Sequence, residues 1–233
     1  AIFIALTISV PMRAMHQIVH PITTDLMARK KHDELNDLYK KTSINLQIVG
    51  GFVMLCIFVN INQLYEMMPK EYGGGIMVVF MIGVSKYFDL ILGNNNAIIF
   101  NSKYYRAVLF LGVGLVVLTV ILNMIFIPLY GIIGSAFATL LSITCYSVAK
   151  LLFVVKRMNL YPFTKETLHS IGITLVVFLL FYFWRFPTNP IIAIGLKSIL
   201  VTIVYVYINY KFVVSPEINQ TLDKVLLKIK KNK

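Results

Sequence analysis

The sequence predicts an all-α, polytopic transmembrane bundle of about seven membrane-spanning helices. Apolar residues make up 58% of the 233 positions, charged residues make up only 14%, and the mean hydropathy is +0.77. Soluble domains contain roughly 45–50% apolar and about 25% charged residues, so this composition favours a protein embedded in a bilayer. The apolar residues also fall into seven runs, most of them near the roughly 20 residues that a helix needs to cross the hydrocarbon core.

The predicted spans follow one another along the chain, and no connection has the length or composition of a separate soluble domain. They occupy residues 1–23, 44–64, 76–100, 106–128, 130–155, 168–186 and 190–210. The first span begins at Ala1 without a charged leader, so it lacks the pattern of a signal peptide. We expect the chain to be the C-terminal part of a longer protein.

The basic residues predict how the spans are oriented. The net charge is +12, and the two alternating sets of connections hold 17 and 2 Lys or Arg residues. Because Lys and Arg are enriched in cytoplasmic loops, connections 24–43, 101–106 and 150–167 and the C-terminus are expected in the cytoplasm. Lys70 and Arg185 are then external. This distribution accounts for the positive charge, so no nucleic-acid partner is expected.

Two polar segments are expected to lie on the cytoplasmic membrane surface. Connection 24–43 carries leucines among charges of both signs, which suits a short interfacial helix. The tail, residues 211–233, is basic and amphipathic, with apolar residues at helical spacing at Leu222, Val225, Leu226 and Ile229. We expect it to bind anionic membrane lipid, at about 1 kcal/mol for each basic residue near the surface.

Residues 123–142, NMIFIPLYGIIGSAFATLLS, predict a tightly packed helical hairpin. Pro128 is expected to end one helix, and a short turn on the outer face follows. The next helix carries a surface of small residues that lets two helices approach closely, at Gly131, Gly134, Ser135, Ala138 and Ser142.

This stretch resembles the "N…IP.yGi.GaA.at..s" hairpin of the polysaccharide-exporting branch of the multidrug/oligosaccharidyl-lipid/polysaccharide (MOP) exporter superfamily. SVPMRAMHQIVHPIT at 9–23, LYKKTSINL at 38–46 and NSKYYR at 101–106 are similar to further segments of that family. The resemblance covers roughly residues 1–155, and it implies a MATE/MOP-like transporter built from two helical lobes. Residues 1–155 would supply five spans of the second lobe, and residues 156–210 two additional C-terminal spans.

Charged side chains inside the spans are the first candidate site residues. Lys86 lies about 15 Å from the outer end of its span, near the bilayer midplane, where a lone lysine costs roughly 2.5–3.5 kcal/mol. Asp89 is three residues away on the same helical face. The two residues either form an internal ion pair or line a watery cavity that meets an anionic substrate.

Basic residues of the first span favour the cavity. Arg13, His16 and His20 fall on one face of a helix at membrane depth, where a row of basic groups suits an anionic ligand. Lys197 lies near the outer end of the last span, and we expect it to extend outward to the interface.

Three consecutive asparagines, Asn94, Asn95 and Asn96, point in three directions on a helix. We therefore expect one or two of them to bond to neighbouring helices, while Asn94 joins the cavity residues. Gly93, immediately before them, allows a local break in the helix.

The favoured function is a non-enzymatic flippase in the bacterial cytoplasmic membrane. It would move a lipid-linked oligosaccharide for O-antigen, capsule or exopolysaccharide synthesis by alternating access, together with the N-terminal half of the same protein. No catalytic residue, metal or cofactor is expected, and the coupling ion, H⁺ or Na⁺, is not specified by the sequence. The predicted substrate-binding residues are Arg13, His16, His20, Lys86, Asp89 and Asn94.

Two other functions are weaker alternatives. A cation-coupled multidrug exporter of the same superfamily would favour acidic and aromatic groups in its cavity, yet Asp89 is the only carboxylate in the predicted spans. An integral-membrane glycosyltransferase or acyltransferase would require convergent acid, base or metal-binding residues at a membrane face, and the loops carry only scattered candidates.

Overall fold

The computed structural model describes residues 1–69, 74–184, 186 and 189–231, apart from the side chains of 225, 226 and 229–231. Every regular element within these residues is helical, which confirms the all-α prediction. A short 3₁₀ segment, Thr7–Ser9, joins the first two helices. The helices are α1 (Ile2–Leu6), α2 (Val10–Ala28), α3 (His32–Val59), α4 (Ile61–Glu66), α5 (Ile76–Ile91), α6 (Asn95–Phe100), α7 (Tyr105–Met158), α8 (Lys165–Tyr182), α9 (Pro190–Lys211) and α10 (Pro216–Lys231).

Several of these helices have the dimensions of membrane spans. Five helical segments are long and apolar enough to cross a bilayer: Ile2–Ala28, His32–Val59, Tyr105–Met158, Lys165–Tyr182 and Pro190–Lys211. Large apolar side chains are exposed along their outer faces, as expected of surfaces that meet lipid. The protein is therefore a membrane-embedded helical bundle.

Helix α7 folds back on itself at Gly131. This residue has φ 57° and ψ −133°, outside the helical region, and it separates a first arm, residues 105–130, from a second arm, residues 132–158. The ring centroids of Phe126 and Phe137 lie 5.0 Å apart, whereas their separation along a straight helix would be about 16 Å. The two arms thus form the hairpin that the sequence predicts.

The arms of the hairpin touch at Gly134, which belongs to the small-residue surface. A Cβ atom added to Gly134 would collide with the backbone carbonyl of Phe126 on the first arm. The predicted end of the first helix is misplaced by two residues, because Pro128 lies inside the helix and the turn comes at Gly131. A glycine in the left-handed region reverses the chain more sharply than a proline kink does.

Helix α3 forms the centre of the bundle. Its residues belong to all three groups of buried apolar side chains: Leu46 and Phe58 pack with α5, Ile48 and Leu55 with α8 and α9, and Tyr39 with α6. The two C-terminal spans therefore share their core with the preceding helices.

Connection 24–43 is a turn between two long helices, so the prediction of a separate interfacial helix is wrong. α2 continues to Ala28 and α3 begins at His32, with Lys30 in the left-handed conformation between them. Oppositely charged neighbours on each helix support this continuation, because Asp25 pairs with Arg29 at 2.9 Å and Asp37 with Lys41 at 2.7 Å.

The tail forms helix α10, which is joined to the rest of the bundle at its start. Ser215 donates a hydrogen bond to Asn45 of α3 at 2.6 Å, and Tyr210 of α9 donates one to Asp223 at 2.7 Å. Three residues of the predicted apolar face, Val225, Leu226 and Ile229, have side chains outside the described residues, as have the predicted external residues Lys70 and Arg185.

Candidate functional site

The candidate site forms where the third predicted span, residues 76–100, breaks into α5 and α6. Gly93 has φ 55°, and a Cβ atom at this position would lie 2.7 Å from the backbone nitrogen of Ser43 on α3. Only glycine combines this conformation with so close an approach. The predicted break at Gly93 is confirmed.

The three asparagines after the break each contact a different helix. Asn94 donates its amide hydrogen to Thr23 of α2, and Asn95 donates to the hydroxyl of Tyr39 on α3 at 2.8 Å. The side-chain oxygen of Asn96 accepts a hydrogen bond from Lys150 on the second arm of α7, at 3.2 Å. All three asparagines therefore bond to neighbouring helices, whereas one or two were expected to do so.

Asp89 pairs with Lys150 and not with Lys86. The Lys150 ammonium lies 3.0 Å from Oδ1 of Asp89, so the predicted ion pair within α5 is wrong. Lys150 has 2% of its side chain exposed, whereas Lys86 is only partly buried. Lys150 loses more hydration than Lys86, so pairing the carboxylate with Lys150 offsets the larger desolvation cost.

Lys150 is a site residue that the sequence analysis assigned to the cytoplasmic connection 150–167. It lies about two turns before the end of α7, and its ammonium stands 4.4 Å from the ring centroid of Tyr146. The signal that identifies it is spacing: four-residue steps from Gly134 through Ala138 and Ser142 lead to Tyr146 and Lys150. Lys150 thus continues the small-residue surface of the hairpin into the bundle.

Of the three basic residues on α2, His16 faces this cluster and His20 contacts His16. The ring centroids of His16 and His20 lie 5.2 Å apart, and both side chains are partly buried. His16 lies beside the backbone of Gly93 and within electrostatic range of both Asp89 and Lys150. Its Nε2 atom is buried and makes no hydrogen bond to the described part of the chain.

Arg13 and Lys86 are the cations of this region that lack a carboxylate partner. Arg13 lies one helical turn before His16, with its side chain exposed at the surface of the bundle. Lys86 lies one turn before Asp89 on α5, and neither cation forms an ion pair or hydrogen bond with residues that the structure describes. Arg13 shares α2 with His16, and Lys86 shares α5 with Asp89.

Lys197 does not extend outward as the sequence analysis expects. Its side chain is 1% exposed, and its ammonium donates a hydrogen bond to the carbonyl of Val59 at 3.0 Å. Val59 is the last residue of α3, where unpaired carbonyls and the negative end of the helix dipole attract a cation. Lys197 therefore ties α9 to α3 and lies apart from the candidate site.

The arrangement holds an excess of positive charge among helices of membrane-spanning character. Arg13, Lys86 and Lys150 are cations, and Asp89 is the carboxylate that accompanies them. No cluster of three or more His, Cys, Asp or Glu side chains suited to a metal ion occurs within the described ranges. Chemically, the site can attract an anion, and His16 and His20 are titratable groups beside it.

The chain matches no family model, and no curated protein or solved structure is detectably similar to it. Arguments about function therefore rest on the residues and geometry of the site.

Proposed function

We propose that the protein is a flippase that carries a pyrophosphate-linked oligosaccharide lipid from the cytoplasmic to the outer leaflet by alternating access. The observation that carries this proposal is the unbalanced positive charge of the candidate site. The carboxylate of Asp89 is paired with Lys150. Arg13 and Lys86 therefore have no counter-ion among the described residues. An anionic substrate would supply that counter-ion.

The cost of keeping such cations at membrane depth supports a functional role. Insertion scales assign roughly 2.5–3.5 kcal/mol to a Lys or Arg at the centre of a span, and ionisable residues in these positions commonly line substrate pathways. A pyrophosphate carries enough negative charge to pair with two cations at once. Translocation of such a lipid requires shelter for a charged group and no bond-making chemistry, so we propose no enzymatic activity and no cofactor.

The wider architecture in this proposal is the C-terminal lobe of a MATE/MOP-like transporter with two additional helices. In this proposal the two arms of α7 would be two passes and the broken α5–α6 segment one, which with the four other candidate spans would make seven. An N-terminal half of the same protein would complete the cavity beside the exposed face of α2. The protein would lie in the bacterial cytoplasmic membrane with a cytoplasmic C-terminus.

The position of Asp89 counts against the multidrug exporter alternative. A cationic drug needs an accessible carboxylate, whereas Asp89 is engaged by the ammonium of Lys150 at 3.0 Å. The Asp89–Lys150 pair therefore presents no net negative charge to a cation.

Surface polysaccharide production tests the proposal. Lys86→Ala and Arg13→Ala should each reduce polysaccharide at the cell surface while membrane abundance stays normal, and Arg13→Lys should retain part of the activity because it keeps the charge. Lys103→Ala, an exposed cation on the α6–α7 connection, is the matched control and should export normally. Normal export by both Lys86→Ala and Arg13→Ala would refute the proposed anion site.

A further inference from the structure

An apolar groove of about 760 Å³ runs between α5, the second arm of α7 and the first two turns of α8. This volume lies within the roughly 300–1,000 Å³ range of small-molecule sites. Most of the side chains that line it are apolar and belong to these three helices, among them Phe88, Ile91, Val148, Leu151, Leu168 and Ile171.

The groove opens to the outside of the bundle. Phe88, Val148 and Leu168 line it, yet between 43% and 72% of each side chain is exposed. In a bilayer, a groove on this surface is open to acyl chains from the side. Its occupant therefore enters from the membrane.

One end of the groove carries a lysine. Phe163, Thr164 and Lys165 line this end, and Lys165 is the first residue of α8. Lys156 and Arg157 lie nearby in sequence, in the last turn of α7, whereas the one acid in the first turn of α8 is Glu166. The mouth of the groove therefore presents an exposed lysine, at the level that the distribution of basic residues assigns to the cytoplasmic surface.

A buried hydroxyl lines the groove farther in. Ser147 is 4% exposed, and its Oγ atom has no hydrogen-bond partner in the described part of the chain. A buried hydroxyl without a partner is costly, and a ligand with an acceptor oxygen would relieve that cost. An ester carbonyl, which joins the acyl chain of a phospholipid to its glycerol, is such an acceptor.

We propose that this groove binds one acyl chain of an anionic phospholipid from the cytoplasmic leaflet, with the lipid phosphate at Lys165. The apolar walls match the chain, Ser147 matches the ester, and Lys165 matches the charge of the phosphate. The groove also adjoins the ion pair of the candidate site, because Phe88 precedes Asp89 and Leu151 follows Lys150. A bound chain would therefore pack against the two helices that the ion pair joins. The proposal does not depend on transport activity.

Native mass spectrometry of the purified, delipidated protein tests the proposal, with dioleoyl-phosphatidylglycerol and dioleoyl-phosphatidylcholine as probes. We expect one phosphatidylglycerol molecule to remain bound at collision energies that remove phosphatidylcholine. Val148→Trp should lower this occupancy by about fivefold or more, because the indole fills the space that the acyl chain would take. Val116→Trp, at an exposed position on the first arm, is the matched control and should bind normally.

A second experiment tests the contact between Lys165 and the lipid phosphate. Lys165 is exposed, so its replacement leaves the packing intact. Lys165→Ala should lower the preference for phosphatidylglycerol over phosphatidylcholine by about fivefold, whereas Lys103→Ala should not change it. Equal retention by wild type and Val148→Trp would overturn the groove as the site. An unchanged preference in Lys165→Ala would overturn the phosphate contact. Displacement of the bound phosphatidylglycerol by equimolar undecaprenyl phosphate would overturn the choice of phospholipid as the occupant.

Discussion

The ammonium of Lys150 lies 3.0 Å from the carboxylate of Asp89, and this ion pair joins the second arm of the α7 hairpin to α5. Asn96, just after the break at Gly93, accepts a second hydrogen bond from the same ammonium. The ion pair and the broken helix therefore form one structural unit, and Lys86 lies one turn before Asp89 on the same helix.

Removal of one partner of this pair should destabilise the protein. Asp89→Asn should lower the free energy of unfolding by roughly 3–5 kcal/mol, because the buried ammonium of Lys150 loses its partner. Lys150→Met should lower it less, because the carboxylate that it leaves is 28% exposed. The double variant should recover much of this loss. Thermal unfolding of the purified protein in detergent measures the effect, with Lys86→Met as a control that should leave the midpoint unchanged or raise it. A double variant no more stable than Lys150→Met would contradict the pairing.

The break at Gly93 should not tolerate a side chain. Gly93→Ala places a Cβ atom against the backbone of Ser43 in a left-handed conformation that itself costs about 1–2 kcal/mol. The thermal midpoint should therefore fall. Gly112→Ala is the matched control, because a Cβ atom there meets nothing within 4 Å and alanine favours the helix. Equal midpoints for the two variants would show that the backbone at Gly93 is not constrained in this way.

The connection between α9 and α10, residues 212–215, contains Val213, whose backbone is strained. Val213 has φ 49°, a conformation that a β-branched residue rarely adopts. Val213→Gly should therefore raise the free energy of unfolding by about 1 kcal/mol, which a thermal melt can detect. Val214→Gly should lower it instead, because the Val214 side chain is buried. A fall in stability for Val213→Gly would contradict the predicted strain.

The orientation of the spans can be measured by chemical labelling. After replacement of Cys56 and Cys145, single cysteines at positions 70 and 185 should react with an impermeant thiol reagent in intact cells, whereas cysteines at 103 and 156 should react only after permeabilisation. Labelling of position 156 in intact cells would reverse the predicted orientation.

Local backbone features could be predicted from the sequence because they depend on single residues. Gly93 marks the helix break, since only glycine adopts its conformation without strain, whereas the hairpin turn was expected at Pro128 and lies at Gly131. The asparagines could likewise be expected to bond within the bundle, because a buried amide needs a partner.

The partners of the buried cations could not be predicted, because they depend on which helices meet. Lys150 lies near other basic residues in sequence, which suggests a cytoplasmic loop, but α7 continues and carries it against Asp89. Lys197 lies near the end of a span, which suggests an outward position, but the end of α3 supplies a carbonyl inside the bundle. In both cases, a tertiary contact outweighs the local pattern.

The central claim, that unpaired cations at membrane depth bind the anionic part of a lipid-linked glycan, is tested most directly by a translocation assay. The purified protein in liposomes should move a fluorescent pyrophosphate-linked glycolipid between leaflets. Lys86→Ala should slow this movement at least about tenfold, as expected for the loss of a charged contact, while Lys103→Ala should leave it unchanged. Translocation by Lys86→Ala at the wild-type rate, or none by the wild-type protein, would contradict the account.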